Sequence, residues 1–482
     1  MPVTVPADFS DRVSPVLVKE LRQGLRAKTF IALFLGLQIF LAVMLLSAGA
    51  SSGSSQAGST ISGTIFLFFS IAVLLIQPLR GINALAGEVK DRTIEMMVLT
   101  RLTAWRIVFG KWIAIVGQSA LLFATIIPYL ILRYFFGGMN LFGELMFLLL
   151  LFLTSMALTA VTIGLSGSNS VIIRGLLPIL GLPVGLWMMM MLTFARRMGG
   201  GVDLMEAVSL STKESRIGVG VFVLAITYLG GSMLSLGASM IAPAAENHTL
   251  IRRFVALVLM VAALAAGLFG DYDEELQLLF VFVIAVPALV TAFVEYVPLV
   301  DIVRRPFHRL GPAGKVLGWF FYPCWPSGLL FGVAFTALSL LALAFHNDAS
   351  SYHRWDEEEW TVILGMFGAL MFPAVWQAFL FRGEDQRLGH YLLLLVGSFI
   401  LLGILTALSD AMNSSSFLWG FAWHPLAYVA MLEEGDFSDS LLLTGVILCD
   451  VVIAGILLFR ALAGLLSAER ALDAAANPGS DS

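Results

Sequence analysis

Apolar residues run along this chain in blocks of about twenty, separated by short charged or small-residue segments. At 1.5 Å per residue such a block, wound as a helix, matches the ~30 Å hydrocarbon layer of a bilayer. The pattern predicts twelve spans in two sets of six. The first set falls near 29–48, 61–79, 112–133, 144–166, 175–194 and 217–242. The second falls near 254–270, 278–300, 328–345, 361–381, 391–408 and 441–459. The first block is about as long as the others and lies behind 28 residues, so it reads as a span and not as a cleavable signal.

Composition agrees with that pattern. Of the 482 residues, 59% are hydrophobic and 13% charged, and the mean hydropathy is +0.91, which no water-soluble core can accommodate. Backbone polar groups in lipid must be satisfied internally, and long apolar blocks, unlike alternating ten-residue strands, select helices over a barrel. The expected fold is therefore an all-α polytopic membrane protein with no soluble catalytic domain. Sorting charges by side orients it. With the N-terminus inside, the inner segments hold 22 Lys and Arg against 13 acids (+9), and the outer ones 6 against 18 (−12). Basic loops stay on the cytoplasmic side, so both termini are expected there, in a plasma or inner membrane. The two cysteines, Cys324 in a loop and Cys449 in a helix, form neither a disulfide framework nor a metal-ligand spacing.

The two halves share a plan. Each opens on a basic approach, Lys19 to Lys28 and then Arg252-Arg253. Each has a long inner loop after its second span, at 80–111 and 301–327, and a long outer segment after its fifth, at 195–216 and 409–440. Halves that start on the same side would be parallel repeats. The expected divisions are 1–28, a cytoplasmic N-terminus with an interfacial helix; 29–250, the first half; 251–460, the second, degenerate half; and 461–482, a cytoplasmic tail whose residues from Ala471 onward are expected to be disordered.

Two segments carry candidate function. In Val13–Lys28, Ser14 and Pro15 suit a helix start. Val13, Val16, Leu17, Leu21 and Leu25 then line one stripe, and Lys19, Arg22, Gln23 and Arg26 cover the other side. Such a helix lies in the membrane interface with its cations towards anionic headgroups. The loop Arg80–Lys111 is too charged to span, yet it carries Ile94, Met96, Met97, Val98, Leu99, Leu102, Trp105 and Ile107. Asp91 suits a cap for a short helix and Thr103 a cap for the run into the third span. An apolar stripe edged by Glu88, Arg92, Glu95 and Arg101 must pack on something, either its own helix ends or the groove of a partner.

The pattern Glu88…Thr93-x-Glu95-x-x-x-Leu99-Thr100-x-Leu102-Thr103…Ile107-x-x-Gly110-Lys111 resembles the permeases of type-2 ABC exporters. Pro15, Lys19, Glu20, Leu21 and Arg22 resemble that family's elbow helix, and the stretch Ile241–Asn247 is also similar, over residues 12–250 in all. The chain departs from the pattern at Arg92, where the family has Gly, and at Arg101, where it has Pro. The second half matches by topology alone, because its 301–327 loop has prolines in place of the Thr-x-Glu core. The resemblance implies that Glu88, Arg92, Thr93, Glu95, Met97, Leu99, Thr100, Leu102, Trp105, Ile107 and Lys111 form a coupling segment against an ATPase subunit. That subunit would be a separate polypeptide holding ATP and Mg, since no phosphate loop G-x-x-x-x-G-K-[ST] occurs in this chain. A second copy of the chain would complete the pathway if the degenerate half does not.

Other chemistry is sparse. Glu295 and Asp450 fall inside spans, where a carboxylate is costly and marks either a transport path or a bonded acid, and no span offers a cation as partner. The acidic outer loop 346–360 matches no metal site, and Trp419, Trp423 and His424 sit in an apolar piece too short to cross. No catalytic set, bound cofactor or nucleic-acid partner is expected. The alternatives are an ion-coupled secondary transporter and a non-transporting structural membrane subunit.

Overall fold

A computed structural model describes residues 15–50, 65–86, 103–134, 141–168, 210–269, 274–349, 355–380, 387–412 and 416–476. Within these the protein is all-helical, and ten helices are long and apolar enough to cross a membrane. It is an all-α, multi-pass membrane protein. The chain divides into two compact units that meet in sequence at Ile241 and Ala242.

The first unit contains α1 (Pro15–Leu25), α2 (Lys28–Ala50), α3 (Ile65–Gly81), α4 (Ala104–Tyr134), α5 (Leu141–Ser166) and α6 (Lys213–Ile241). Helix α2 shows why lipid must surround it: Leu35, Ile39, Val43 and Leu46 form an exposed stripe at helical spacing, while Leu37 and Leu41 are buried behind it. Helix α3, described from Ile65 within the second expected crossing, contains a π-helical stretch, Ile71–Ile76. There the Ser155 hydroxyl donates to the Val73 carbonyl at 2.6 Å, satisfying a backbone group inside the bundle. Helices α5 and α6 cross closely. A Cβ on Gly237 would lie 2.8 Å from the Gly164 Cα, so the contact exists only because both residues lack side chains. The expected fifth crossing, 175–194, and the outer segment that follows it lie outside the described residues, apart from the last few before α6.

The second unit runs α7 (His248–Phe269), α8 (Glu274–Val294), α9 (Asp301–His308), α10 (Gly311–Phe321), α11 (Trp325–Ala349), α12 (Glu357–Phe379), α13 (Arg387–Met412), a 3₁₀ turn (Ser416–Phe421), α14 (Pro425–Glu434) and α15 (Asp439–Ala476). Helices α7, α8, α11, α12, α13 and α15 are its span candidates. The apolar piece with Trp419 and Trp423 forms the 3₁₀ turn and the loop into α14, and Phe372 packs on Trp423 with ring centroids 5.5 Å apart. Acids of the 346–360 loop start the helix that follows. Asp356 accepts from the Glu359 N–H at 3.0 Å, and Glu359 accepts in turn from the Asp356 N–H, a reciprocal cap at the head of α12.

The segment 301–327 between two spans forms two helices and a short linker, with Pro312 in the first turn of α10 and Pro326 in that of α11. One expectation from sequence is corrected here. The tail does not lose order at Ala471, because α15 continues to Ala476. Its last turns are clasped by α9 and α10: Arg304 pairs with Asp473 at 2.5 Å, and Lys315 and the Trp319 indole N–H bind Glu469 at 2.8 Å each. These bonds to Asp473 and Asp301 hold the Arg304 pKa above its ordinary value.

Candidate functional site

The centre of the expected coupling segment falls outside the described residues: Glu88, Arg92, Thr93, Glu95, Met97, Leu99, Thr100 and Leu102. Its flanks are described and converge on helix α1. Thr103 caps α4 as expected, its Oγ1 accepting from the Arg106 N–H at 3.4 Å. Trp105 is 37% exposed and stacks on Phe109, with ring centroids 5.9 Å apart. Ile107 is fully buried, and Lys111 is buried with Nζ 3.1 Å from Glu20 Oε1. Ile107 and Lys111 therefore belong to the protein's own packing, and of the described coupling candidates only Trp105 presents an open surface.

Helix α1 keeps the amphipathic character read from its sequence. Lys19, Arg22, Gln23 and Arg26 are exposed, while Leu17, Leu21 and Leu25 are partly covered. It lies against α4 through a notch at Gly24, where any Cβ would strike the Gln118 side chain. Arg80, at the end of α3, then ties three elements together. Its guanidinium donates to Gln77 Oε1 at 3.1 Å, to Gln118 Oε1, and to the Gly24 carbonyl at 3.4 Å. With the Glu20–Lys111 pair, these bonds link α1, the exit of α3 and the entry of α4. Of the elbow residues expected from the sequence, Glu20 makes the ion pair, Leu21 packs against Gly117, and Lys19 and Arg22 stay on the exposed face. Pro15 is the first described residue of α1.

Sequence reasoning missed the environment of Glu295, for which no cationic partner was expected. Glu295 is buried with Arg252 and Arg253, the pair read as a basic approach to the second half. Its Oε1 lies 2.7 Å from Arg252 and accepts from the Thr249 hydroxyl, and its Oε2 lies 3.2 Å from Arg253. Arg253 also donates to the carbonyls of Phe320, at 2.7 Å, and Tyr322, at 3.2 Å, and to the Ser327 hydroxyl, at 2.8 Å. Phe320 and Tyr322 stand at the end of α10, whose last carbonyls have no partner within the helix, so Arg253 caps it. Nearby, burial pushes the Tyr322 phenol up to about 12 and raises the Cys324 thiol, so both groups stay protonated. The triad has the features of a bonded structural acid. The legible clue was position: both arginines lie near the start of α7 and Glu295 just past the end of α8, ends that antiparallel helices bring together.

Asp450 differs. It is 8% exposed, and neither carboxyl oxygen has a hydrogen-bond partner among the described residues. Gly368 leaves the space it occupies, since a Cβ there would collide with Asp450 Oδ1 and with the Pro425 ring. The adjacent His424 accepts from the Leu426 N–H at 3.2 Å through Nδ1 and packs on Phe372 with ring centroids 4.2 Å apart. Burial pushes the imidazole down to about 4, so it is neutral at physiological pH. Among the described residues no three metal-ligating side chains gather.

Comparison of the chain with known protein families, with curated proteins and with solved structures found no match.

Proposed function

We propose that this chain is the membrane permease subunit of an ATP-driven exporter of the type-2 ABC class, energised by a separate ATPase subunit that holds ATP and Mg. One observation carries the reading: the ends of the apolar 80–111 segment are fastened to the interfacial helix through Arg80 and Lys111. A partner that moves the centre of this segment would move α1, α3 and α4 together, which is what coupling between two sites requires. In this reading both termini and the segment face the cytoplasm of a plasma or inner membrane, following the charge bias. A second copy of the chain joins the assembly if the second half does not complete the pathway. The test is capture of the tagged full-length chain from its native membrane in mild detergent. A stoichiometric ATPase with a phosphate loop is the expected companion, and its absence from a preparation that still transports would refute the reading.

Asp450 favours a second reading, an ion-coupled carrier, because a buried carboxyl without a hydrogen-bond partner is the kind of group that binds a coupling ion. Asp450→Asn separates the two. An ATP-driven permease is expected to keep normal expression and transport in this variant. Loss of transport at unchanged expression would support the carrier.

A further inference from the structure

A cavity of about 400 Å³ lies in the first unit, between α1 and the facing ends of α3 and α4. Its volume is that of a small-molecule site. Lys19, Arg80 and Lys111 supply three positive charges to its wall and Glu20 one negative charge, for a net of +2, and Gln23 and Gln118 add neutral polar groups. Ala27, Ala84, Ala114 and Ile115 form its apolar part. The cavity sits where the chain passes from α1 into the first spanning helix at Lys28, and so at the boundary between headgroups and hydrocarbon.

We propose that this cavity binds the phosphate-bearing headgroup of an anionic phospholipid. Lysine and arginine suit a phosphate, and a cationic cavity in a low-dielectric setting holds an anion better than an exposed basic patch does. Its polar side meets the headgroup, while its apolar wall at the top of α4 meets the first carbons of the acyl chains. The bound lipid would brace the same junction that Arg80 and the Glu20–Lys111 pair hold. The site does not depend on the ATPase, so it stands or falls separately from the proposed function.

The test uses the full chain in phosphatidylcholine nanodiscs, titrated with a phosphatidylglycerol that carries a photoactivatable acyl chain. Labelling is read on peptides from α1 and the start of α4. Lys19→Glu removes two units of positive charge and is expected to weaken labelling about twenty-five-fold. Glu20→Gln removes the acid and is expected to strengthen it about fivefold, at roughly a factor of five per charge near a membrane surface. A merely disturbed junction would weaken both variants, so opposite shifts support the site. Unlabelled phosphatidylglycerol should displace the probe and phosphatidylcholine should not. Equal labelling by a phosphatidylcholine probe, identical behaviour of the two charge variants, or displacement by millimolar inorganic phosphate would each overturn the lipid assignment.

Discussion

Glu295→Gln is expected to destabilise the protein by about 3–5 kcal/mol, because it leaves two buried arginines without a counter-charge. Arg252 and Arg253 are adjacent in sequence and share this single carboxylate, one on each oxygen. The loss would appear as a much lower midpoint of thermal unfolding in detergent and a low yield of folded protein. Arg252→Gln should cost far less, since it leaves one neutral pair in which Arg253 keeps Glu295 and its carbonyl and hydroxyl partners. That asymmetry is the informative part. Equal losses in the two variants would mean that Glu295 does not balance both cations, and the triad would not be the support assigned to the end of α10.

Glu95→Arg is expected to have the largest effect on activity. The resemblance places Glu95 at the surface that meets the ATPase, and reversing a charge at such a contact typically costs about 2–5 kcal/mol of affinity. Transport should fall to background while the variant still reaches the membrane at the normal level, because the sequence puts position 95 in a charged segment between two expected spans. Membrane fractionation checks insertion, and ATP hydrolysis measured beside transport checks coupling. Wild-type transport in this variant would count against the coupling role.

Much of the fold was legible because hydrocarbon enforces a simple rule on sequence: about twenty apolar residues per crossing. The two-sided character of helix α1 was equally legible, since Leu17, Leu21 and Leu25 share one face and the cations the other. The misreadings have physical causes. The helices within 301–327 were not legible, because Pro312 and Pro326 occupy first turns, where a missing N–H costs nothing and gives no sign of the helix that follows. The charges Arg460, Glu469, Arg470 and Asp473 end the apolar run of α15, but the Ala- and Leu-rich stretch around them keeps strong helix propensity, so the helix leaves the membrane and continues. The Glu295 triad joins residues 42 and 43 positions apart, and hydropathy carries no sign of a pairing that only antiparallel helices create. The junction of Arg80, Gln118, Glu20 and Lys111 was hidden for the same reason, although each residue stood beside a segment already singled out.

The most direct measurement concerns what covers the apolar residues between the second and third crossings. Met97→Cys, in a full-length chain whose Cys324 and Cys449 are replaced by alanine, can be treated with a short bifunctional thiol-to-amine reagent in native membranes. A crosslinked adduct with a second, ATP-hydrolysing polypeptide is the predicted result, with a yield that changes when nucleotide is added. Adducts confined to this chain, together with activity that needs no accessory protein, would contradict the account.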